Sequence, residues 1–277
     1  MPRLSAAAAL VVLIAAAFYM SIRSLERSPP VQPEYQGKPK KDSSSATLAD
    51  SSTQPDPDFS GISRLEEKRS LIETAVRGFF QAASVNDKLA FARDVGRVRP
   101  LMQAYYTKKT LQTRTVAGLG SCVSIGEKGQ RLGYIEALFT SGKPAKVIVE
   151  EGPDGRFRVD WESLVKYSEM EWADFLSRKP TSPTLFRVLV SRLPTTGSDR
   201  QVWLEISYPG NDKRLKAGLN PHDPAFQPLL EQLEMGDWKN VPLTLRLCYS
   251  EAKSNAESVL ITGSEGKGWL ILTDRRS

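Results

Sequence analysis

Between Tyr106 and Thr115 the spacing of apolar residues changes from a helical to a strand period, which calls for helices and strands packed in one folded part. Before it, Leu65, Ile72, Ala75, Val76, Phe79 and Ala83 recur at helical spacing within SRLEEKRSLIETAVRGFFQAAS. Ser63 and Glu66 fit a capping box at its start. Two shorter helices are predicted next: VNDKLAFAR, with Leu89 and Phe91, and RVRPLMQAYY, with Val98, Leu101, Met102 and Tyr105. Pro100 is placed in the first turn of the latter. After the change, TVAGLGSCVSI, RLGYIEALFT, AKVIVEE and RFRVDW read as strands separated by the turn-rich stretches GEKGQ, SGKP and GPDG. Helices followed by strands with short loops predict an α+β layer, the helices packed on one face of an antiparallel sheet. An amphipathic stretch, WESLVKYSEMEWADFLSR, runs on from the last strand and stops before Lys179-Pro180.

A second unit begins near Thr181. TLFRVLVSRL, QVWLEISYP, VPLTLRLCYS, SVLITG and GWLILTD read as strands, and one helix lies at about Pro224 to Met235. Five strands, one short helix and no parallel-crossover pattern predict a small sheet or partly closed barrel. The two folded parts are thus an α+β domain over 62–180 and a β-rich domain with one helix over 181–277, with no internal repeat between them.

Ahead of both stands an uncharged apolar run, Leu4 to Ile22, flanked by Arg3 and Arg23. As a helix it is about 28 Å long, close to the roughly 30 Å hydrocarbon core of a bilayer. The rival reading is a cleaved signal peptide, for which Ala15 and Ala17 fit the small-x-small pattern. The apolar character continues through Phe18, Tyr19, Met20 and Ile22, where a signal peptide turns polar, so residues 1–27 are read as an uncleaved, single-pass anchor. Counted strictly, Arg23, Arg27, Lys38, Lys40 and Lys41 favour keeping the chain beyond the anchor in the cytoplasm. Short N-terminal anchors of this form commonly export the domain attached to them, and the reading taken is an exported body. Residues 28–61, SPPVQPEYQGKPKKDSSSATLADSSTQPDPDFSG, offer almost nothing to bury and predict a disordered linker with a typical reach of about 30 Å.

The chain through Gly61 holds six Lys/Arg and six Asp/Glu, so the formal net charge of +6 resides in the folded part. Arg93, Arg97, Arg99, Lys108, Lys109 and Arg114 stand against Asp94 alone. One reading is a solvated basic face; the other is a docking patch of Arg93, Arg97, Arg99, Lys108 and Lys109 for an anionic lipid surface or an acidic protein partner. Nucleic acid is not expected, since repeated stacking aromatics and binding motifs are missing. Cys122 and Cys248 lie far apart in apolar segments, as small core residues do, and His222 alone makes most zinc arrangements impossible. No metal or cofactor is expected. Ser163-Leu-Val-Lys166 matches S-x-x-K without its companion elements, and Gly263 to Gly268 is a Gly-rich hairpin turn rather than a strand-to-helix phosphate loop.

The element order of Ile62 to Tyr167, with Tyr105 and Tyr106 in the helices and Val159, Asp160 and Trp161 closing the sheet, resembles the nuclear transport factor two-like (cystatin-like) superfamily. That resemblance implies a bent sheet wrapping its helices into a cone, with a pocket between them in which family enzymes use one acidic or histidine base. Here the pocket residues would be Tyr105, Tyr134 and Asp160, with burial beside Trp161 raising the carboxyl's pKa. The other reading of Asp160 is a cap for the helix that starts at Glu162. Anchor, tether and cone together also resemble single-pass bacterial envelope proteins. The expected function is a non-enzymatic, membrane-anchored scaffold or binding protein of the cell envelope; the alternative is a cone-fold small-ligand carrier or enzyme using the pocket carboxylate.

Overall fold

The computed structural model describes residues 61–127, 129–193, 202–235, 238–250, 258–266 and 268–272. The anchor run Leu4–Ile22 and all of the linker before Gly61 lie outside them. Among the described residues no helix is long and apolar enough to cross a membrane.

The first helix, α1 (Arg69–Gln81), buries Ile72, Ala75, Val76, Phe79 and Phe80, the stripe that helical spacing predicts. It starts later than the capping box implied. Its N-cap is Lys68, without a side-chain cap, and the residues before it form turns with Glu67 N donating to Arg64 O at 3.1 Å. Ile62 explains the delay, because it is already buried against Gly133 of the sheet and its carbonyl accepts from Ser124 Oγ. Ser84 caps α2 (Val85–Leu89) through Asp87 N. Asp94 then takes a left-handed conformation (φ 54°), and α3 (Val95–Lys108) begins. Pro100 lies inside α3, a turn deeper than expected.

Four antiparallel strands come next: β1 (Val116–Glu127), β2 (Gln130–Phe139), β3 (Ala145–Glu151) and β4 (Phe157–Val159), in spatial order β1-β2-β3-β4. One face buries Ile135, Ala137, Val147, Val149 and Val159 with α1 and with Val98 and Met102 of α3. On the other, Val123, Tyr134 and Ile148 stand in register across three strands, and Val123 is 54% exposed. The free edge of β1 is covered from α1. Arg69 donates to the carbonyls of Leu119 and Gly120, and Arg77 to those of Val116 and Ala117. Side-chain donors on an edge leave fewer carbonyls open to pairing with a foreign strand.

The stretch after β4 is two helices rather than one. α4 (Trp161–Val165) ends where Lys166 turns left-handed, and α5 (Trp172–Arg178) comes after it. Trp172 and Phe175 pack into the core of the second part although they precede residue 180. That second part is a closed barrel of β5 (Thr184–Arg192), β6 (Val202–Ser207), β7 (Arg214–Leu219), β8 (Val241–Tyr249) and β9 (Ser258–Glu265), in order β5-β6-β7-β9-β8. A 3-10 turn (Pro224–Phe226) and α6 (Gln227–Met235) connect β7 to β8. Five strands agree in number with the sequence pattern, but the set differs. RLKAGL supplies β7, which pairs in parallel with β9, whereas Gly268–Leu272 forms no strand and buries Trp269 and Leu270. Closure leaves this part without a free sheet edge, and the architecture assigns no ligand by itself.

Lys88 is the least expected member of the α+β core. Its side chain is 2% exposed, its ammonium donates to Phe79 O near the end of α1, and it lies 4.2 Å from the centroid of the Phe79 ring. The carbonyl end of a helix and an aromatic face both favour a cation, yet burial wins and lowers the Lys88 pKa to about 8. Between pH 8 and the ordinary value of 10.5 the unfolded chain therefore holds a proton that the folded chain has lost, so stability rises with pH in that window. Measured by denaturant unfolding, the wild type should gain up to about 1 kcal/mol per pH unit over Lys88→Met through that range. Parallel pH profiles for the two proteins would show that Lys88 is hydrated in solution.

Candidate functional site

The three candidate pocket residues do not share a pocket. Tyr105 packs on the helix side of the sheet in a cluster of rings, with Tyr106 at 5.1 Å, Trp161 at 5.4 Å and Tyr167 at 6.4 Å between centroids. Burial raises the Tyr105 and Tyr106 hydroxyl pKa values, and Trp161 Nε1 donates to Tyr106. Tyr134 alternates with buried Ile135 and so lies on the opposite face, its ring 5.9 Å from Lys146 Nζ. Asp160 is 3% exposed and both its oxygens are engaged: Oδ1 caps α4 through Ser163 N at 2.9 Å, and Oδ2 accepts from Arg93 Nη1 at 3.0 Å. The space between helices and sheet is filled by the core, with Met102, Phe79 and Trp161 almost wholly buried.

The basic segment divides in the same way. Arg99 and Lys108 are exposed, and Lys109 pairs with Glu171 at 3.0 Å. Arg93 is a correction to the surface reading: it is 2% exposed and points into the protein. Arg97 is half-buried between Asp94, at 2.7 Å, and Glu162. Burial opposes its charge, but hydrogen bonding and attraction from Glu162 and then Asp94 outweigh that and raise its pKa. Glu150 of β3, Asp160 just before α4 and Glu162 within it lie far along the chain from these arginines, whereas Asp94 is local to Arg97.

These inward charges form one buried centre where the α+β part meets the barrel. Arg93 uses its whole fork: Nε to Glu150 at 2.8 Å, Nη2 to Gln130 at 2.8 Å, and Nη1 to Asp160 and to Ile271 O at 2.9 Å. From the barrel, Arg187 of β5 donates to Trp269 O at 2.8 Å and to Tyr167 O at 2.7 Å. Its Nη2 stands 3.2 Å from Glu162 Oε1, close enough for ion pairing though outside hydrogen-bond alignment. Arg93, Arg97 and Arg187 are balanced by Glu150, Asp160 and Glu162. The charge compensation is what makes such burial tolerable.

An open cleft of about 510 Å³ lies beside the centre, lined by Asp94, Val95, Glu150, Gly152, Pro153, Asp154 and Arg158. Its charged groups are already matched. Arg158 holds Asp154 through two hydrogen bonds, at 2.9 and 2.6 Å, and keeps its carboxyl well below the usual range. Glu150 serves Arg93 and Asp94 serves Arg97. Among the described residues no group of three His, Cys, Asp or Glu could hold a metal. Ser163 Oγ donates to Asp160 O, while Lys166 Nζ lies over the Trp269 ring at 5.6 Å, so the S-x-x-K pair is turned to separate tasks. Cys122 and Cys248 are free thiols whose pKa values burial raises, and His222 is exposed in its turn.

Sequence reasoning missed Glu150, Glu162 and Arg187. Arg187 carried a signal, since it interrupts the apolar strand TLFRVLV, and a charge inside such a strand needs a buried partner. Glu150 and Glu162 look like ordinary surface carboxylates. Arg93→Met strands Glu150 and Asp160 in the interior and should cost on the order of 3–5 kcal/mol, whereas Arg99→Met should stay within about 0.5 kcal/mol. Equal urea midpoints for the two variants would remove Arg93 from the structural centre.

No protein-family model matches this chain, and no curated protein or solved structure is significantly similar to it.

Proposed function

We propose that this protein is a non-enzymatic scaffold or binding protein of the cell envelope. In this reading Leu4–Ile22 anchors it as a single pass and residues 28–61 tether an exported body beyond the headgroups. The observation that carries the reading is the fate of Asp160. The carboxylate best placed for chemistry is committed to Arg93 and to the α4 cap, inside a filled core. A general base must lie within reach of substrate, and Asp160 is only 3% exposed. Helices followed by a four-stranded antiparallel sheet are in keeping with a cone of the nuclear transport factor two-like kind, used here as a packed module. The cleft beside Glu150 and Asp154 favours the second reading, a small-ligand carrier.

Docking on anionic lipid belongs to the first reading and now rests on Arg99, Lys108 and Lys109, with Arg93 and Arg97 withdrawn to internal partners. A tethered body comes within a Debye length of the bilayer, where each such cation contributes on the order of 1 kcal/mol. Reversing Arg99, Lys108 and Lys109 to Glu should lower binding of an anchor-free body, starting at Gly61, to anionic phospholipid vesicles by about a hundredfold at low salt. Neutral vesicles should bind neither form. Equal binding of wild type and variant would end the lipid reading. Crosslinking the full chain in its membrane tests the scaffold reading: a defined protein partner supports it, and saturable small-molecule binding lost in Asp154→Asn would replace it with the carrier.

A further inference from the structure

We infer that the C-terminal segment Gly268–Leu272 is a releasable latch that locks the α+β part to the barrel. It is no strand of either sheet, yet its backbone is gripped from both parts. Arg187 of the barrel donates to Trp269 O at 2.8 Å, and Arg93 of the α+β part donates to Ile271 O at 2.9 Å. Further bonds seat it on the barrel: Trp269 Nε1 donates to Val188 O at 3.0 Å, and Thr244 Oγ1 donates to Gly268 O at 2.8 Å. Trp269 and Leu270 are buried beneath it.

Two arginines that are 2% and 0% exposed thus each reach a backbone acceptor on one short segment outside the strands. Lifting the latch takes acceptors from both, and a buried guanidinium short of acceptors must gain water or move. Water at this centre would weaken the Arg187–Glu162 attraction that joins the two parts directly. The latch is therefore coupled to the whole junction, and its loss is felt beyond its own contacts.

The latch is aimed by a tight glycine turn. Gly266 has φ +68°, and a Cβ placed there would lie 2.0 Å from Leu270 O, so the chain folds straight back on the latch. Only glycine fits both the backbone conformation and the approach. The turn comes directly after β9, so opening it leaves the strands of the barrel in place.

Gly266→Ala should lift the latch without removing any residue, and ending the chain after Lys267 should remove it. In the full-length protein in detergent, wild type should melt in one calorimetric transition and resist trypsin at Lys166–Tyr167, in the connection between the two parts. Both variants should melt in two transitions and be cut there at least tenfold faster, with the strand and helix content of the far-ultraviolet spectrum kept. A variant ending after Leu272 should behave as wild type. If the Gly266→Ala barrel fails to fold, the shortened chain carries the test. One transition and unchanged cleavage in a folded latchless protein would overturn the inference, as would two transitions already in the wild type.

Discussion

The arrangement of this protein depends on one electrostatic constraint: Arg93, Arg187 and three carboxylates withdrawn from water where the α+β part meets the barrel, with the half-buried Arg97 at their edge. Burying a single charge costs several kcal/mol even after relaxation, so each member is tolerable only while the others are in place. Arg93 meets the requirement with a full fork of acceptors, Glu150, Gln130, Asp160 and Ile271 O. Guanidinium groups suit such a place because they are planar, permanently charged and less strongly hydrated than ammonium. The consequence is specificity of arrangement. Any slippage of the barrel against the sheet would leave Arg187 facing apolar surface instead of Glu162 and the carbonyls of Tyr167 and Trp269.

The same constraint shapes what the surface can do. Two of the five cations in the candidate docking patch are engaged internally, which leaves Arg99, Lys108 and the surface-paired Lys109 for any contact with a membrane or partner. Asp160 is likewise committed to internal partners, serving Arg93 and the α4 cap together. A residue can be both the most suggestive functional group in a sequence and a plain structural element in the fold. Local capping and a distant arginine decide between the two roles.

Much of the fold was legible because it follows from local periodicity. The stripe of Ile72, Ala75, Val76 and Phe79 specifies a helix face, and the alternation through Leu132–Phe139 and Ala145–Glu151 specifies strands with one buried side. The errors arise where tertiary contacts override local signals. Ser63 and Glu66 have the chemistry of a capping box, but Ile62 is drawn into the core and the helix begins at Arg69. GWLIL is as apolar as a strand and RLKAGL is less so, yet the barrel takes the second and lays the first across the junction. An apolar run announces burial, and only the backbone partners within reach decide whether it is buried as a strand.

The sequence by itself determined the order of the first three helices and the four strands after them, the α+β class of the first part and the β-rich character of the second. Those properties rest on side-chain spacing and turn chemistry within about ten residues of each position. It also marked Leu4–Ile22 as a segment of membrane-spanning length. The tertiary structure alone decided the barrel's closure through the parallel pair of β7 and β9, the filling of the space between helices and sheet, and the fate of the charges. Arg93 meets Glu150 and Asp160 across 57 and 67 residues of chain. No local pattern encodes a pairing over that distance, because it is fixed by which surfaces the folded elements bring together and by the cost of leaving a charge there alone.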